Sequence, residues 1–410
     1  MSATDAASSS HAFRHAPLDH CPFMPVFGPP AIMFDRGKGT ELWDSDGKRY
    51  LDFLTGLAVV SVGHANPTVA EAVADQAERL MHVSNFFANP VATEAAVKVN
   101  RLLAEATGYN GQLFFTNSGA ESIECAIKLA RKYGGRGRHN VVTTFGSFHG
   151  RTLAALAATG QPEKHEPFEP MPPGFRHVAW GDLEAMRAAV DRTVAAVIIE
   201  PIQGEGGVNP AEDSYLLGIR ELCDAAGVLM IVDEIQAGFA RTGRWFGFEH
   251  SGVSPDVVTM AKAMGNGMPV GACWARTDVA AVFQPGDHGS TYSGTAIACS
   301  AVNATIDEMH RINAPLRAAK LGVRLAEALL EVDGVTGVRG KGLMLGVEIA
   351  EGLDAKRAYL DLLEAGLVVN AVKPDTIRLL PPITVSDDEI DEAVGMIGAA
   401  LASQLEGRSA

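Results

Sequence analysis

The sequence is poor in cysteine: there are five among 410 residues, and none of them lie in a CxxC arrangement. An odd number at wide spacing does not fit the disulfide framework of a small secreted domain. The cysteines and histidines also show no metal-ligand cluster, so we predict no bound metal. These positions favour free thiols in a reducing cytoplasm.

Positive charge is also scarce, with 34 Lys and Arg against 49 Asp and Glu and a net charge of −15. Nucleic acids and anionic membrane surfaces are bound by clustered Lys and Arg, so we expect neither as a partner. The N-terminus, MSATDAASSSHAFRHAP, lacks the apolar core of a secretory signal, and no apolar run approaches membrane-spanning length. We therefore expect a cytoplasmic protein. An anionic small substrate would need a few local arginines.

What the sequence does contain is a series of short apolar runs separated by helical stretches. It is 47% hydrophobic and 20% charged, which are ordinary globular values. Strand candidates lie at 195–200, 228–234 and 257–262, and the pattern predicts a helix over 214–226. Continuous apolar strands linked by helices predict a mainly parallel α/β sheet with helices on both faces.

Charged residues end these strand candidates: Glu200 ends the first, Asp233 lies near the end of the second and Lys262 ends the third. Parallel strands with right-handed crossovers have their C-terminal ends on one edge, where open α/β sheets bind ligands. Isolated charge is expensive in an apolar layer, so an acid and an amine here indicate a common ligand. An aldehyde cofactor that forms a Schiff base with lysine, and whose ring nitrogen a carboxylate keeps protonated, would need this pair. The alternatives are a structural ion pair for Asp233 and a helix-cap role for Lys262.

The pattern divides the chain into a flexible tail (1–20), an N-terminal segment (21–66), a large ligand-binding domain (67–305) and a small C-terminal α/β domain (306–410). Alternating residues around a Ser-Asp-Gly turn predict a β-hairpin within 39–60, which we expect to join the small domain. The small domain is predicted to have strands in GLMLGVEIA, LVVN and TIRLLP and helices at 314–331, 354–365 and from about 386.

Two motifs are suited to an anionic, flat ligand. FFTNSGAESIECAIKLARKYGG predicts strand, turn and helix, with Ser118, Gly119 and Ala120 at the helix start, where free backbone N–H groups attract phosphate. GSFHGRT contains Phe148, which could stack on a ring, and Arg151, which could bind a carboxylate bidentately. Taken singly, the first motif is equally a plain capped helix and the second a surface turn.

Further candidates come from loops and from a strand near the C-terminus. Glu205 lies in the glycine-rich EPIQGEGGVNP, and Ser290 and Thr291 lie in HGSTYSGTA, whose hydroxyls could bind phosphate. Arg378 lies in TIRLLPP. In isolation these are an ordinary loop, a turn and a solvated strand residue.

The occurrence of all these motifs in this order resembles the class III aminotransferases. These are pyridoxal phosphate enzymes with the aspartate-aminotransferase-type fold, known as fold type I. The resemblance runs from about residue 25 to about residue 400, and it is most specific over 229–272. It implies the α/β architecture outlined above, a homodimer with shared active sites, and pyridoxal 5′-phosphate as cofactor.

The resemblance also implies a role for each candidate around the cofactor. Lys262 would form the Schiff base, and Asp233 would pair with the pyridinium nitrogen. Gln236 would lie by the phenolic oxygen, and Phe148 would stack on the ring. The cofactor phosphate would be bound by Ser118, Gly119 and Ala120, together with Thr291 of the second subunit.

Substrate choice would rest on the arginines. Arg151 and Arg378 could each take one carboxylate of glutamate, whereas a donor that reacts through a terminal amine needs only one arginine. In the relatives, the residue that matches Glu205 neutralises the one that matches Arg378 when that donor is bound. This avoids an unpaired buried guanidinium, and it favours an ω-amino donor with 2-oxoglutarate as the amino acceptor.

Within the family, FTNSGAE, SFHGRT, EPIQGEGGV and HGSTY are most similar to the branch that acts on N2-acetyl-L-ornithine in arginine biosynthesis. Ornithine-specific relatives tend to carry tyrosine near Leu57, so the aliphatic residue here argues against free ornithine. One departure is the stretch after HGSTY, where relatives usually read GGNP and this chain has Ser293, Gly294, Thr295 and Ala296. Succinyl-diaminopimelate, 4-aminobutyrate, ornithine or another amine therefore remain alternative donors.

Three other readings compete with an aminotransferase. An aminomutase or racemase of the same fold would not need an external oxo acid. A non-catalytic sensor on this scaffold would usually carry an additional basic domain, and none is evident in this sequence. A nicotinamide dehydrogenase would need GxGxxG with a later acidic residue, whereas GNGMPVG follows Lys262 and lacks that arrangement.

Overall fold

The structure is a computed structural model, and it describes residues 23–27, 30 and 32–409. The predicted tail and Cys21 lie outside the described residues. The strands, in chain order, are β1 (Phe34–Lys38), β2 (Glu41–Asp44), β3 (Arg49–Asp52), β4 (Gly111–Thr116), β5 (Asn140–Thr144), β6 (Phe175–Val178), β7 (Val194–Ile199), β8 (Ile202–Gln203), β9 (Asn209–Pro210), β10 (Leu229–Asp233), β11 (Val257–Met260), β12 (Gly271–Arg276), β13 (Val335–Lys341), β14 (Met344–Ile349), β15 (Leu367–Val368), β16 (Asn370–Lys373) and β17 (Thr376–Leu379).

Helices alternate with these strands through most of the chain. They are α1 (Thr55–Ala58), α2 (Pro67–Arg79), α3 (Pro90–Thr107), α4 (Gly119–Gly134), α5 (Leu153–Ala158), α6 (Leu183–Ala189), α7 (Asp213–Ala226), α8 (Thr277–Ala280), α9 (Ala296–Arg311), α10 (Ala314–Leu330), α11 (Ala355–Ala365) and α12 (Asp387–Ser409). No helix in the described part of the chain combines the length and apolarity needed to cross a membrane.

The central sheet has the order β4-β12-β11-β10-β7-β5-β6. Strands β7, β10 and β11 pair in parallel, as predicted, whereas β12 runs antiparallel to both of its neighbours. Because β12 is antiparallel, the sheet is mainly rather than wholly parallel, and β12 itself was not predicted. The predicted helix between β7 and β10 is confirmed as α7.

Both faces of the central sheet are buried, because alternate residues of its strands pack into different apolar clusters. On β10, Met230 and Val232 pack on one face and Ile231 on the other, and on β7 Ile198 packs with Ile231. Alternation with period two explains why these strands are apolar at every position. The prediction of a sheet covered on both faces is confirmed.

The N-terminal hairpin is confirmed as β2 and β3, which pair antiparallel around the turn at 45–48. Strand β3 also pairs in parallel with β15, through Leu51 and Leu367, so the hairpin adds to the C-terminal part of the chain. A separate sheet there has the order β13-β14-β17-β16. Helix α9 runs across the boundary predicted at 305–306, and the division into domains stays a prediction.

Candidate active site

A cavity of about 280 Å³ opens at the C-terminal edge of β7, β10 and β11. The strand ends therefore meet where the sequence analysis expected a ligand site. The cavity is lined by most of the predicted site residues, namely Gly119, Ala120, Phe148, Arg151, Glu205, Asp233, Gln236 and Lys262.

Lys262 lies just beyond the end of β11, rather than at the last strand position as predicted. The strand ends at Met260, and Lys262 begins a short 3-10 turn, Lys262–Gly265, with φ at +48°. A positive φ is unfavourable for a residue with a side chain, and such strain persists mainly at functional sites. Burial in the cavity lowers the pKa of the Lys262 amine, because desolvation disfavours the ammonium form.

Asp233 is the last residue of β10, and its carboxylate is buried beneath the cavity. One oxygen lies 2.7 Å from Nδ1 of the buried His149, and the other accepts the backbone N–H of Ile235 at 3.1 Å. The Nε2 atom of His149 is buried without a partner. No role was predicted for His149, although its position beside Phe148 in SFHGRT was a usable signal.

Glu200 is a second buried acid at this edge, directly after β7, and it also lines the cavity. Burial raises the pKa of Glu200 well above its usual range, and the neighbouring charge of Asp233 adds to the effect. Its Oε2 accepts the backbone N–H of Phe148 at 3.2 Å. Glu200 therefore favours the neutral form and positions the loop that contains Phe148, a role that the sequence alone did not indicate.

Phe148 and Arg151 lie together at the side of the cavity. The guanidinium carbon of Arg151 lies 5.6 Å from the centre of the Phe148 ring, and Arg151 is exposed to solvent. Glu124 of α4 accepts the backbone N–H groups of Ala154 and Ala155 at 3.1 and 3.2 Å, which caps the start of α5. This cap fixes the loop that presents both side chains to the cavity.

Arg378, on β17, reaches the same site although it belongs to the C-terminal part of the chain. Its Nη1 donates to Glu205 Oε1 at 2.6 Å and lies 3.3 Å from Gln236 Oε1, and its Nε donates to Asn370 at 3.1 Å. Burial works against ionisation of Glu205, but the charge and hydrogen bond of Arg378 outweigh it and lower the Glu205 pKa. The Nη2 atom of the fully buried Arg378 has no partner.

The predicted anion-binding turn lies at the start of α4. Ser118 caps the helix, because its hydroxyl accepts the Glu121 N–H at 3.3 Å, and Gly119 and Ala120 form the first turn beside the cavity. A Cβ on Gly119 would lie 2.8 Å from Ile235, so only glycine fits there without a shift. The free N–H groups of this long helix thus lie against the cavity wall.

Three predicted residues do not line this cavity: Ser118 and Arg378, which adjoin it through Gly119 and Glu205, and Thr291. Thr291 is exposed, in the loop between β12 and α9. Within residues 293–296, where this chain differs from the GGNP of its relatives, the hydroxyl of Ser293 donates to Phe115 O at 2.6 Å and connects the loop to β4. The side chain of Asn117, next to Ser118, donates to the Ser290 hydroxyl at 2.9 Å. The loop that contains Thr291 therefore lies beside the anion-binding turn at the start of α4, and Thr291 does not line the cavity of its own chain.

The arrangement fits pyridoxal phosphate. An amine with a lowered pKa and a buried carboxylate line one cavity, and a helix N-terminus lies at its wall. The unpartnered Nη2 of Arg378 indicates a missing acceptor for the guanidinium. A ring cation would match Asp233, a phosphate would match the start of α4, and substrate carboxylates would match the arginines.

Comparison with known proteins gives the same result. The family described as Aminotransferase class-III matches residues 25–401. The chain is 47% identical over 367 residues to the acetylornithine aminotransferase of Methanopyrus kandleri, covering 89% of this chain and 93% of that protein. It is 46% identical over 386 residues to that of Corynebacterium efficiens, covering 92% and 94%.

Among solved structures, the ornithine aminotransferase of Toxoplasma gondii, described with partial occupancy of PLP at its active site, superposes with a TM-score of 0.87 at 32% identity. The match covers 100% of this chain and 96% of that one. The predicted fold type and family are thereby confirmed. The chain belongs to the class-III aminotransferases, and its cofactor is pyridoxal phosphate.

Proposed function

We propose that this aminotransferase moves the terminal amino group of N2-acetyl-L-ornithine to 2-oxoglutarate, giving a semialdehyde and glutamate. The observation that carries the proposal is the ion pair between the fully buried Arg378 and the half-buried Glu205, beside Lys262. Relatives over 40% identical across about 90% of the chain are named for this donor. The place in arginine biosynthesis follows from the donor, and a cytoplasmic location remains a prediction from cysteine usage.

Lys262, Asp233 and Phe148 are proposed to hold the cofactor, with Gln236 at its phenolic oxygen. When bound, pyridoxal phosphate supplies a cationic ring that withdraws electrons from the substrate carbon as that carbon loses its proton. Asp233 would maintain the cation, because a carboxylate buried next to a ring nitrogen stabilises the protonated form. The hydrogen bonds from His149 and from the backbone N–H of Ile235 fix the orientation of the Asp233 carboxylate at the cavity.

Lys262 is proposed to be both the covalent attachment point and the proton carrier. The lowered pKa of its amine favours the free base, which can accept the proton from the substrate carbon that bears the amino group. Glu205 and Asp233 oppose this effect, since their negative charges favour the ammonium. Small changes in the nearby charges therefore alter the protonation of Lys262. A group that both accepts and returns a proton requires this property.

The two arginines are proposed to select the substrates. With 2-oxoglutarate or glutamate bound, Arg151 and Arg378 would each hold one carboxylate, and Glu205 would release Arg378. With the ω-amino donor bound, the carboxylate of the donor would need only Arg151, and Glu205 would remain on Arg378. The ion pair at 2.6 Å is the arrangement expected for the donor-ready state.

The enzyme is proposed to act as a homodimer, in which Thr291 of each chain completes the phosphate site of the other alongside Ser118, Gly119 and Ala120. Large apolar side chains exposed near the Thr291 loop support this, namely Met81, Phe86, Phe87 and Tyr292. Asn85 links the two stretches, because its side chain donates to Ser293 O at 3.0 Å. A patch of this kind on a soluble enzyme marks an association surface.

The proposal is tested first at Lys262. Lys262→Ala should abolish turnover and the borohydride-reducible linkage to the cofactor, whereas replacing the exposed Lys356 by alanine should change neither. Mass spectrometry of the reduced protein checks the linkage, and a coupled glutamate assay checks the turnover. Transamination retained by Lys262→Ala would refute the assignment.

The donor is tested by single-turnover spectroscopy with acetylornithine, ornithine, 4-aminobutyrate and succinyl-diaminopimelate. Acetylornithine should give the largest rate constant divided by Kd, followed by full return of the starting spectrum with 2-oxoglutarate. A higher value for another amine would replace the donor while leaving the aminotransferase assignment intact. Product formation without an oxo acid would instead indicate an aminomutase.

A further inference from the structure

Residues 52–64, called here the linking segment, contact the turn that begins at Lys262. The side chain of Asn266, at the end of that turn, accepts the Val62 N–H at 2.9 Å and donates to Gly63 O at 3.2 Å. Asn266 has φ at +45°, which asparagine tolerates better than most residues. Its side chain therefore ties the Lys262 turn to one end of the linking segment.

The other end of the linking segment contacts the strand that carries Arg378. The hydroxyl of Thr55 donates to Leu380 O at 2.8 Å, and the backbone N–H of Leu380 donates to Phe53 O at 2.6 Å. Leu380 lies two residues after Arg378, just beyond β17. The linking segment is thus hydrogen-bonded both to the turn of the proposed catalytic amine and to the strand of the proposed substrate arginine.

Between these contacts the backbone has an unusual conformation. Residues 55–58 all have positive φ, from +51° at Thr55 to +69° at Leu57, although only one of them is glycine. A left-handed turn is unfavourable for residues with a side chain, so its surroundings must stabilise it. Asp52 does so, because its Oδ1 accepts the N–H groups of Leu54 and Thr55 at 2.9 and 2.7 Å.

A buried arginine, Arg241, also joins the linking segment to the residues that follow β17. Arg241 is fully buried, and its guanidinium donates to the Ser61 hydroxyl at 2.8 Å and to Pro381 O at 2.5 Å. Ser61 belongs to the linking segment, and Pro381 follows Leu380. The linking segment, the Lys262 turn and the end of β17 are therefore held together by hydrogen bonds from three side chains, Asn266, Thr55 and Arg241.

We propose that Asn266 and Thr55 are positioning residues that set the spacing between Lys262 and Arg378. The linking segment thereby selects the length of the dicarboxylate substrate. This rests on the proposed function, because it takes Arg378 as the site of one substrate carboxylate. A dicarboxylate that bridges Arg378 and Arg151 fits only if its chain length matches the distance between the two arginines, and Arg151 lines the same cavity as Lys262. A change in the position of Arg378 relative to Lys262 therefore also changes the chain length that fits, and looser anchoring admits shorter or longer chains.

The test measures the binding of three unreactive dicarboxylates, succinate, glutarate and adipate, to the holoenzyme by titration calorimetry. The wild type should prefer glutarate, which has the chain length of 2-oxoglutarate. Asn266→Gly keeps the left-handed backbone accessible and removes the side-chain bonds. It should lower the preference by about threefold to tenfold, the factor expected for one hydrogen bond. Thr55→Val, which keeps the shape and removes the bond to Leu380, should act in the same direction.

Two matched controls separate this effect from general damage. Asn313 also has a left-handed backbone, with φ at +50°, and its side chain makes no capping bond to α10. The Thr305 hydroxyl is buried without a partner. Asn313→Gly and Thr305→Val should therefore leave the glutarate preference at the wild-type value.

The outcomes separate this inference from the proposed function. If the wild type prefers glutarate and both test variants retain that preference, the positioning role is wrong and the function stands. An equal loss of affinity for all three acids would also overturn the positioning role, because a purely structural defect lowers every affinity without changing the preference for glutarate. If the wild type does not discriminate among the acids, the proposed two-arginine site fails. Should Asn266→Gly not fold, Thr55→Val decides.

Discussion

Two buried aspartates in this enzyme each contact a histidine, but the rest of their surroundings differ. Asp233, at the cavity, and Asp52, in the linking segment, each place a carboxylate oxygen 2.7 Å from a histidine ring nitrogen. Both residues are nearly fully buried, with exposed fractions of 4% and 2%. An Asp–His contact is therefore not sufficient to identify an active site in this fold.

The difference lies in the second oxygen of each carboxylate. In Asp52 it accepts two backbone N–H groups and stabilises a left-handed turn. In Asp233 it accepts one N–H group, from Ile235, and the residue lines the cavity. The Asp233 carboxylate can therefore accept a further hydrogen bond from a ligand in the cavity, whereas the acceptors of Asp52 are already occupied by the protein itself.

The largest expected effect is on turnover, and it should be confined to the cavity aspartate. Asp233→Asn should lower the rate constant of the donor half-reaction by about a hundredfold or more, the range for loss of a preorganised charge. The carboxamide keeps the shape but does not maintain a ring cation. Stopped-flow spectroscopy at saturating cofactor measures the rate. A similar loss in Asp52→Asn would break the comparison, because both pairs would then act on the chemistry.

The next largest effect is expected at Arg378, whose strand contacts both the cavity and the linking segment. Arg378→Ala should reduce the glutamate half-reaction about a hundredfold, because it removes a carboxylate partner and leaves the half-buried Glu205 without its cation. The donor half-reaction should lose much less. Single-turnover measurements of each half-reaction check this, with Arg324→Ala as control, since Arg324 is partly exposed and pairs with Asp391 away from the cavity. Equal losses would contradict selection by the two arginines.

The sequence was sufficient to predict the parts of the fold that follow from local patterns. Apolar runs that end in charge predicted β7, β10 and the common edge, because burial on both faces requires such runs. The start of α4 was predicted from Ser118 and the helical spacing behind it. Strand β12 was missed, since its GACWAR pattern depends on packing between β4 and β11.

The site was only partly predictable, because several of its contacts join residues far apart in the chain. The bond between Glu205 and Arg378 links a loop to a strand 173 residues later, and only the family resemblance suggested it. The buried contact between His149 and Asp233 and the neutral tendency of Glu200 depend on three-dimensional burial. The left-handed turn at 55–58 gives no signal in a sequence with one glycine there.

A smaller effect should appear in stability rather than in rate. Asp52→Asn should lower the free energy of unfolding by about 1.5–3 kcal/mol, the range for hydrogen bonds to a charged group. The donor half-reaction should keep its rate within about tenfold, since no acceptor facing the ligand is lost. Urea unfolding of the holoenzyme measures the first quantity and stopped-flow the second. An unchanged stability would show that Asp52 does not hold the left-handed turn.

The smallest effect is on the pH dependence of stability, and it is expected at Glu234. This residue follows Asp233, but like Asp52 it uses its carboxylate oxygens to bind backbone N–H groups. Its oxygens accept the N–H groups of Gly247 and Phe248 at 2.9 and 2.8 Å, and burial raises its pKa from 4.5 to about 8. A raised folded-state pKa means that its contribution to stability is complete below pH 4.5 and is lost as the pH rises through about 8. The slope is at most about 1.4 kcal/mol per pH unit.

Glu234→Gln should therefore flatten the decline of unfolding free energy between pH 5 and pH 8, although the amide loses an acceptor and lowers stability at acidic pH. Glu163→Gln, at an exposed position, removes the same formal charge and should leave the slope unchanged. Urea unfolding at a series of pH values measures both. Parallel curves for wild type and Glu234→Gln would mean that Glu234 is ionised throughout this range. Two backbone donors would then suffice to hold a buried carboxylate charged in this fold.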